Sequence, residues 1–110
     1  MPLSNLRHFE SHAGSVPILV YLYNEPTGHA YRKQIEYEVH IQTATATRTI
    51  AFLIRLGLLK EDVGLDDRRR ALRFYSLTEN GRRVGRILDD AERALEHETV
   101  SGYLNLRKDR

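Results

Sequence analysis

A chain of 110 residues with 41% hydrophobic and 29% charged residues has the composition of one small globular domain rather than of a disordered segment. It contains no cysteine, so disulfides, thiolate metal sites and cysteine nucleophiles are excluded. No apolar run reaches membrane-spanning length and the N-terminus has no signal-peptide core, so we expect a cytoplasmic protein that does not enter a membrane.

The formal net charge of +2 hides an uneven distribution along the chain. Residues 48–86 hold ten lysines and arginines against five acidic residues, whereas the segments on either side each hold more acidic than basic residues. A localised basic surface is typical of nucleic-acid-binding proteins. A mixed charge run, however, is more often only a solvated face.

The first part of the chain predicts one helix and leaves a second open. Residues 1–14 fit either a short helix or a loose arm. Ser15 followed by Pro17 predicts a helix start with Ser15 as the N-cap, since proline is tolerated in the first turn. The turn NEPTGH, with its proline and glycine, predicts the end of this helix.

Two further helices are predicted before the basic segment. Ile35 and Val39, four residues apart, favour a helix over 30–39. Thr43 is a plausible N-cap for a helix over 44–56, and Gly57 follows it in the position that usually ends a helix.

The periodicity then changes from helix to strand. LLKEDV and ALRFYSL read as two strands joined by the turn GLDDRRR, and Thr78 predicts the N-cap of a long helix over 79–98. The order is therefore helices, a hairpin and a helix, which is the winged helix-turn-helix arrangement of the α+β class. We expect a single domain over residues 1–98, whose last helix dimerises, and a flexible tail over 99–110.

The helix over 44–56 has two faces at 100° per residue. One face is apolar and predicts the core side, with Ala46, Ile50, Leu53 and Ile54. The opposite face holds Thr45, Arg48, Phe52 and Arg55, with Ala44 beside them. Phe52 is unusual on this polar face, and the alternative to its exposure is packing under the wing or a neighbouring helix. Small residues allow the backbone to approach the floor of a major groove, where Arg48 can bind guanine O6 and N7. The alternative is that TATAT is only a weak helix start.

Three consecutive arginines, Arg68, Arg69 and Arg70, stand at the predicted hairpin tip. Adjacent guanidiniums repel one another unless an anion lies among them, and arginine is favoured in narrow minor grooves. The alternative is pairing within the chain to the nearby acids Glu61, Asp62, Asp66 and Asp67.

Two segments together resemble the MarR family of regulators. TATR at 45–48, followed by Leu53 and GLL, is similar to that family's recognition helix, and DDRRRALRFYSLTENG at 66–81 is similar to its wing. The resemblance covers roughly residues 16–84. PadR-like regulators, the nearest alternative, share the LTxxG segment at the end of the wing.

The resemblance implies a transcriptional regulator that binds double-stranded DNA as a homodimer, with one helix in the major groove and the wing on the minor groove or backbone. The implied DNA-binding residues are Gln42, Thr43, Ala44, Thr45, Thr47, Arg48, Arg68, Arg69, Arg70 and Arg73. The chain departs from the family pattern at Ala51, where an acid that could hold the first wing arginine is absent. It is also shorter than full MarR proteins, so nothing in it supports a small-molecule effector site.

The last helix carries an apolar stripe in an otherwise acidic sequence. Val84, Ile87, Leu88, Ala91 and Leu95 recur at spacings of three and four residues and predict the dimer interface. The alternative is that this helix folds back on its own domain.

No catalytic motif occurs in the chain, so we expect no enzymatic activity and no cofactor. His8 and His12 have metal-pair spacing, but nothing completes a site and we expect no metal. The second functional hypothesis is a winged-helix protein–protein module without DNA, with Phe52, Ile54 and Leu56 as an exposed docking surface.

Overall fold

The computed structural model describes residues 4–96, which fold into five helices and a three-stranded antiparallel sheet. The elements in chain order are α1 (Ser4–Ser11), α2 (Ser15–Asn24), β1 (His29–Tyr31), α3 (Arg32–Val39), α4 (Thr43–Arg55), β2 (Leu59–Leu65), β3 (Ala71–Leu77) and α5 (Glu79–Leu95). The predicted α+β class and the winged helix-turn-helix arrangement are confirmed, with α3 and α4 as the helix pair and β2–β3 as the wing. Of the two alternatives for the N-terminal segment, the helix is correct from Ser4 onward. The predicted end of the last helix at residue 98 and the tail 99–110 lie outside the described residues.

The strand β1 is not predicted from the sequence, where the helix was expected to start at residue 30. Ala30 instead lies opposite Tyr75 of β3, and α3 begins only at Arg32. The backbone amide of Tyr31 donates to Gln34 Oε1 at 2.9 Å, which satisfies a donor at the start of α3. Three residues are too few to show the alternation that identifies a strand, so the pairing with β3 decides their conformation.

The sheet has the order β1-β3-β2, and β2 and β3 form a hairpin. Its register runs from Leu59 opposite Leu77 to Leu65 opposite Ala71. Leu59 and Leu77 are buried in the core, whereas Leu65 is 67% exposed near the tip. The hairpin is thus fixed at one end by apolar burial, and its tip is held in solvent.

One hydrophobic core joins the helices to the base of the sheet. Its fully buried large side chains come from α2, α3, α4 and β2, and they are Ile18, Leu19, Leu22, Ile35, Leu53 and Leu59. Burial of such side chains is the main favourable contribution to folding, about 1.5–3 kcal/mol for each. This core fixes the orientation of α4, since α4 buries one face in it along most of its length.

The start of α2 differs from the prediction that Ser15 caps it. Ser15 is buried inside the helix, and Gly14 occupies the cap position with a left-handed φ of 87°. The hydroxyl of Ser15 donates to the carbonyl of His12 at 2.8 Å instead of accepting from a helix amide. The tight turn through Gly14 brings the end of α1 close to α4, a contact that the local sequence pattern does not encode.

The start of α5 is a close junction between the wing and the end of α4. Thr78 caps the helix as predicted: its hydroxyl accepts from the Gly81 amide at 3.0 Å and donates to the Gly57 carbonyl. Gly57, with φ of 76°, ends α4 as predicted. Gly81 is buried, and a Cβ there would overlap the backbone carbonyl of Leu58. The glycine of the LTENG segment is therefore required by packing.

The helix α5 packs along α2, and a buried carboxylate links the two helices. Asp89 accepts from Asn24 Nδ2 at 3.0 Å and from Arg93 Nε at 2.9 Å. The hydrogen bond from Asn24 and then that from Arg93 hold the pKa of Asp89 below its usual value. Because the folded pKa is lowered, the contribution of this contact to stability is present at neutral pH and is lost as the pH falls through that pKa. No helix within residues 4–96 combines the length and apolarity needed to cross a bilayer.

Candidate nucleic-acid interface

The N-terminal half of α4 presents a polar surface to solvent. Gln42, Thr43, Ala44, Thr47 and Arg48 are exposed, and Thr45 is half-buried. The opposite side of the same helix is buried in the core through Ala46, Ile50 and Leu53. The structure thus brings five predicted residues of α4 and Gln42, which precedes the helix, onto one accessible stretch.

Thr43 does not cap α4, contrary to the prediction. The helix includes Thr43, and its hydroxyl donates to Glu36 Oε1 at 2.6 Å. The other oxygen of this carboxylate accepts from Arg32 Nε at 3.1 Å. Glu36 therefore joins the start of α4 to the preceding helix, and this fixes the angle between the two helices of the helix-turn-helix. The contact depends on tertiary packing, so the capping rule could not reveal it.

One edge of α4 that the helical wheel predicted to be exposed is covered by α1. Phe52 is only 4% exposed, since the His12 ring stacks on it with 3.7 Å between ring centroids. Phe9 meets the same ring edge-on at 6.2 Å, and the Thr49 hydroxyl donates to the Ala13 carbonyl at 2.7 Å. The exposed Phe52 of the docking hypothesis is therefore wrong, and the alternative that Phe52 packs under a neighbouring helix is correct.

The tip of the wing is organised around one carboxylate. Asp66 Oδ1 accepts from the backbone amides of Arg68 and Arg70, each at 2.8 Å, and Oδ2 accepts from Arg70 Nε at 3.0 Å. The amide of Arg70 and then that of Arg68 contribute most to holding the pKa of Asp66 below its usual value. Arg69, at the apex, adopts a left-handed φ of 60°. Asp66 therefore stabilises a turn in which Arg69 has an unfavourable backbone conformation.

Two of the four wing arginines bind acidic side chains, and the other two do not within residues 4–96. Arg70 is bound to Asp66, and Arg73 forms an ion pair with Glu61 at 3.5 Å. Arg68 and Arg69 are exposed, and neither guanidinium has a hydrogen bond or an ion pair within residues 4–96. Exposed ion pairs contribute only about 0–1 kcal/mol, so Arg70 and Arg73 can exchange their partners for another anion at small cost. The sequence could not assign these pairings because four acids lie within reach.

We expect Asp66→Ala to weaken duplex binding while leaving the melting temperature nearly unchanged. The substitution removes the acceptor of the Arg68 and Arg70 amides and of the Arg70 guanidinium, so the tip becomes mobile and binding must order it. Asp66→Asn keeps an oxygen for the two amides and should lie between Asp66→Ala and wild type. Asp67→Ala is the matched control, since it removes the same charge without touching the tip bonds. Fluorescence anisotropy on a labelled duplex measures all four proteins, and equal affinities for Asp66→Ala and Asp67→Ala would contradict the role of Asp66.

The five residues predicted for the dimer interface divide between two environments. Val84 and Leu88 are half-buried and pack against the core of the same chain. Ile87 and Leu95 are 66% and 52% exposed, and Ala91 is exposed between them. One face of α5 therefore packs on its own domain, whereas the stripe of Ile87, Ala91 and Leu95 is exposed and its role in a dimer stays a prediction.

The histidine pair noted in the sequence lies on α1 and the turn after it. His12 Nδ1 approaches the backbone carbonyl of His8 at 3.1 Å, while its ring stacks on Phe52. No group of three histidine, aspartate or glutamate side chains in residues 4–96 is placed to hold a metal ion.

No protein-family model and no curated protein sequence matches the chain. Solved structures match its fold. A MarR-family regulator from Porphyromonas gingivalis has a TM-score of 0.72 and 17% identity, covering 91% of this chain and 93% of that one. The reduced regulator YodB from Bacillus subtilis has a TM-score of 0.68 and 13% identity over 91% and 94% of the two chains.

The zinc-responsive MarR-family member ZitR from Lactococcus lactis matches with a TM-score of 0.64 and 22% identity. This match covers 89% of the present chain and 62% of ZitR, so the chain spans less than two thirds of that protein. Each of the three similarities covers about nine tenths of the present chain. The chain therefore has a MarR-like fold, the winged helix-turn-helix of that family of transcriptional regulators.

Proposed function

We propose that this protein is a transcriptional regulator that binds double-stranded DNA sequence-specifically as a homodimer. The proposal is carried by Arg68 and Arg69, whose guanidiniums have no partner among residues 4–96 and stand at an ordered wing tip. The same small domain exposes the polar start of α4. A recognition helix of this kind reads base edges in the major groove, while a wing arginine reaches the adjacent groove or the phosphates. In this arrangement Arg48 and the threonines beside it select the sequence, and Arg68 and Arg69 contribute affinity.

The second copy in the proposed dimer packs on the open face of α5. Ile87, Ala91 and Leu95 follow one another at spacings of four residues and form an exposed apolar stripe. A two-fold axis through this stripe buries it against itself. Two recognition helices in such a dimer would read half-sites about one helical turn apart, roughly 34–36 Å. Analytical ultracentrifugation tests the dimer directly.

A salt titration of duplex binding tests the function. Each phosphate contact lowers the slope of log affinity against log salt by about 0.9, so wild-type protein should give a steep negative slope. We expect Arg69→Ala to weaken binding to every duplex by the same factor and to make the slope less steep by about 1. Arg86→Ala, an exposed arginine on α5, serves as the control and should bind as wild type does.

The same titration tests the alternative function, a protein–protein interaction module. A protein of that kind would bind no duplex even at low salt. The docking surface suggested by the sequence loses its main residue, because Phe52 is buried and Ile54 packs against the core. Only Leu56 of the three is exposed, at 46%. The surface of the domain therefore favours DNA over a docking partner.

A further inference from the structure

A trough of about 590 Å³ lies between α4 and the corner that joins α1 to α2. Ser11 and His12 line it on one side, and Arg48, Ala51 and Arg55 line it on the other. It is partly open to solvent rather than enclosed. Phe52 packs against Phe9 and His12, which places the α1–α2 corner beside one edge of α4. The small side chain of Ala51 leaves space between them.

No described side chain compensates the positive charges in the trough. Arg48 and Arg55 are both exposed, and neither guanidinium has an ion pair or hydrogen bond within residues 4–96. No carboxylate is among the described residues that line the trough. Two guanidiniums that line one trough without a carboxylate create a positive electrostatic potential in it, and a bound anion lowers their mutual repulsion.

The spacing of the two arginines fits the two levels of a major groove. They are seven residues apart, so they lie on nearly the same face of α4 and about 10.5 Å apart along its axis. A major groove is about 8.5 Å deep, so when a helix enters it start first, a residue two turns further along lies near the level of the phosphates. Arg48 then reaches the base edges, and Arg55 stands at the rim of the groove.

We propose that this trough is a second site for the DNA backbone, separate from the wing, in which Arg55 binds a phosphate at the edge of the major groove. The proposal rests on the proposed function as a duplex-binding protein and names a contact that the predicted site residues did not include. The strand passes between α4 and the α1–α2 corner, so Ser11 and His12 form its outer wall. The open shape favours a continuous polyanion, because a small free anion in the trough would be contacted from few sides.

The first test compares Arg55→Gln with Arg86→Gln in the salt titration. Loss of one phosphate contact makes the slope about 0.9 less steep, so the ratio of affinities at 50 and 200 mM salt should shrink about 3.5-fold for Arg55→Gln. Arg86→Gln removes the same charge from α5 and should keep the wild-type slope. Both variants should discriminate between duplexes as wild type does, because Arg55 contacts no base. Thermal melts establish that both variants are folded.

A second variant tests the trough itself. Ala51→Glu places a carboxylate between the two arginines, four residues from Arg55 and three from Arg48, where it can pair with either. We expect a larger loss of duplex affinity than for Arg55→Gln, together with an unchanged or higher melting temperature. A neutral methylphosphonate scanned along the duplex should weaken wild-type binding at one backbone position beyond those contacted by the wing, and that position should have no effect on Arg55→Gln.

The outcomes separate this proposal from the proposed function. If wild-type protein binds no duplex, the proposed function fails and the trough site fails with it. If Arg69→Ala lowers the slope but Arg55→Gln and Arg86→Gln give the same slope as wild type, the trough site alone is overturned. Binding of free inorganic phosphate that is lost in Arg55→Gln, without any change in duplex affinity, would also overturn it.

Discussion

Arg48→Ala should lower affinity for a preferred duplex by about 5- to 150-fold while changing binding to unrelated duplexes much less. A bidentate arginine–guanine contact contributes about 1–3 kcal/mol of discrimination, and it is absent on sequences without the guanine. Arg48 is suited to this contact because it is exposed on α4 and has no partner of its own among residues 4–96. Competition between the selected duplex and single-base-pair variants of it measures the change at each position.

The comparison with Arg69→Ala shows which role Arg48 has. The wing variant should reduce affinity for all duplexes by one factor and leave the ranking of sequences intact. If Arg48→Ala also lowers affinity equally for every sequence, Arg48 contacts the backbone and does not read a base. Base preference would then have to come from the α4 threonines or from the shape of the DNA.

Gly81→Ala should destabilise the domain by about 3 kcal/mol, at the upper end of the range for overpacked sites. The added Cβ would occupy the position of the Leu58 carbonyl oxygen, which also accepts from the Thr78 amide at 3.0 Å. Backbone cannot rotate away as a side chain can, so the contact between α5 and the start of β2 must open. Urea unfolding followed by circular dichroism measures the change in the free energy of unfolding.

Two neighbouring substitutions control for helix propensity. Asn80→Ala, exposed one residue earlier, should change the free energy of unfolding by no more than about 0.5 kcal/mol. Gly85→Ala meets the Cβ of Tyr23 at 3.2 Å and the Leu19 carbonyl at 3.3 Å, so it should cost less than Gly81→Ala. A Gly81→Ala protein as stable as Asn80→Ala would mean that the junction adjusts easily.

Features set by nearby residues could be predicted from the sequence. The hairpin, the Thr78 cap and the glycine that ends α4 each depend on a few consecutive residues, and the structure has all three. The apolar face of α4 is also correct for Ala46, Ile50 and Leu53, since helical periodicity alone places them together.

Features set by contacts between distant segments could not be predicted from the sequence. Phe52 is buried because residues 9 and 12 fold over it, and no periodicity within α4 reports that cover. Thr43 binds Glu36, seven residues away, so its preference for capping is overridden. The sequence also suggested Arg68 as the wing arginine needing an acid, whereas Asp66 binds the Arg70 side chain and only the backbone of Arg68.

The order of the strands in the sheet affects the tendency of this protein to aggregate. Because β3 lies in the middle, the outer edge of β2 has no neighbouring strand within residues 4–96 and belongs to a hairpin with an exposed tip. Such an open edge invites strand addition from another molecule and growth of a fibril. Lys60, Glu61 and Asp62 place three consecutive exposed charges along it, and a strand docking there would have to strip water from all of them. The wing can therefore reach outward with little risk that two wings join.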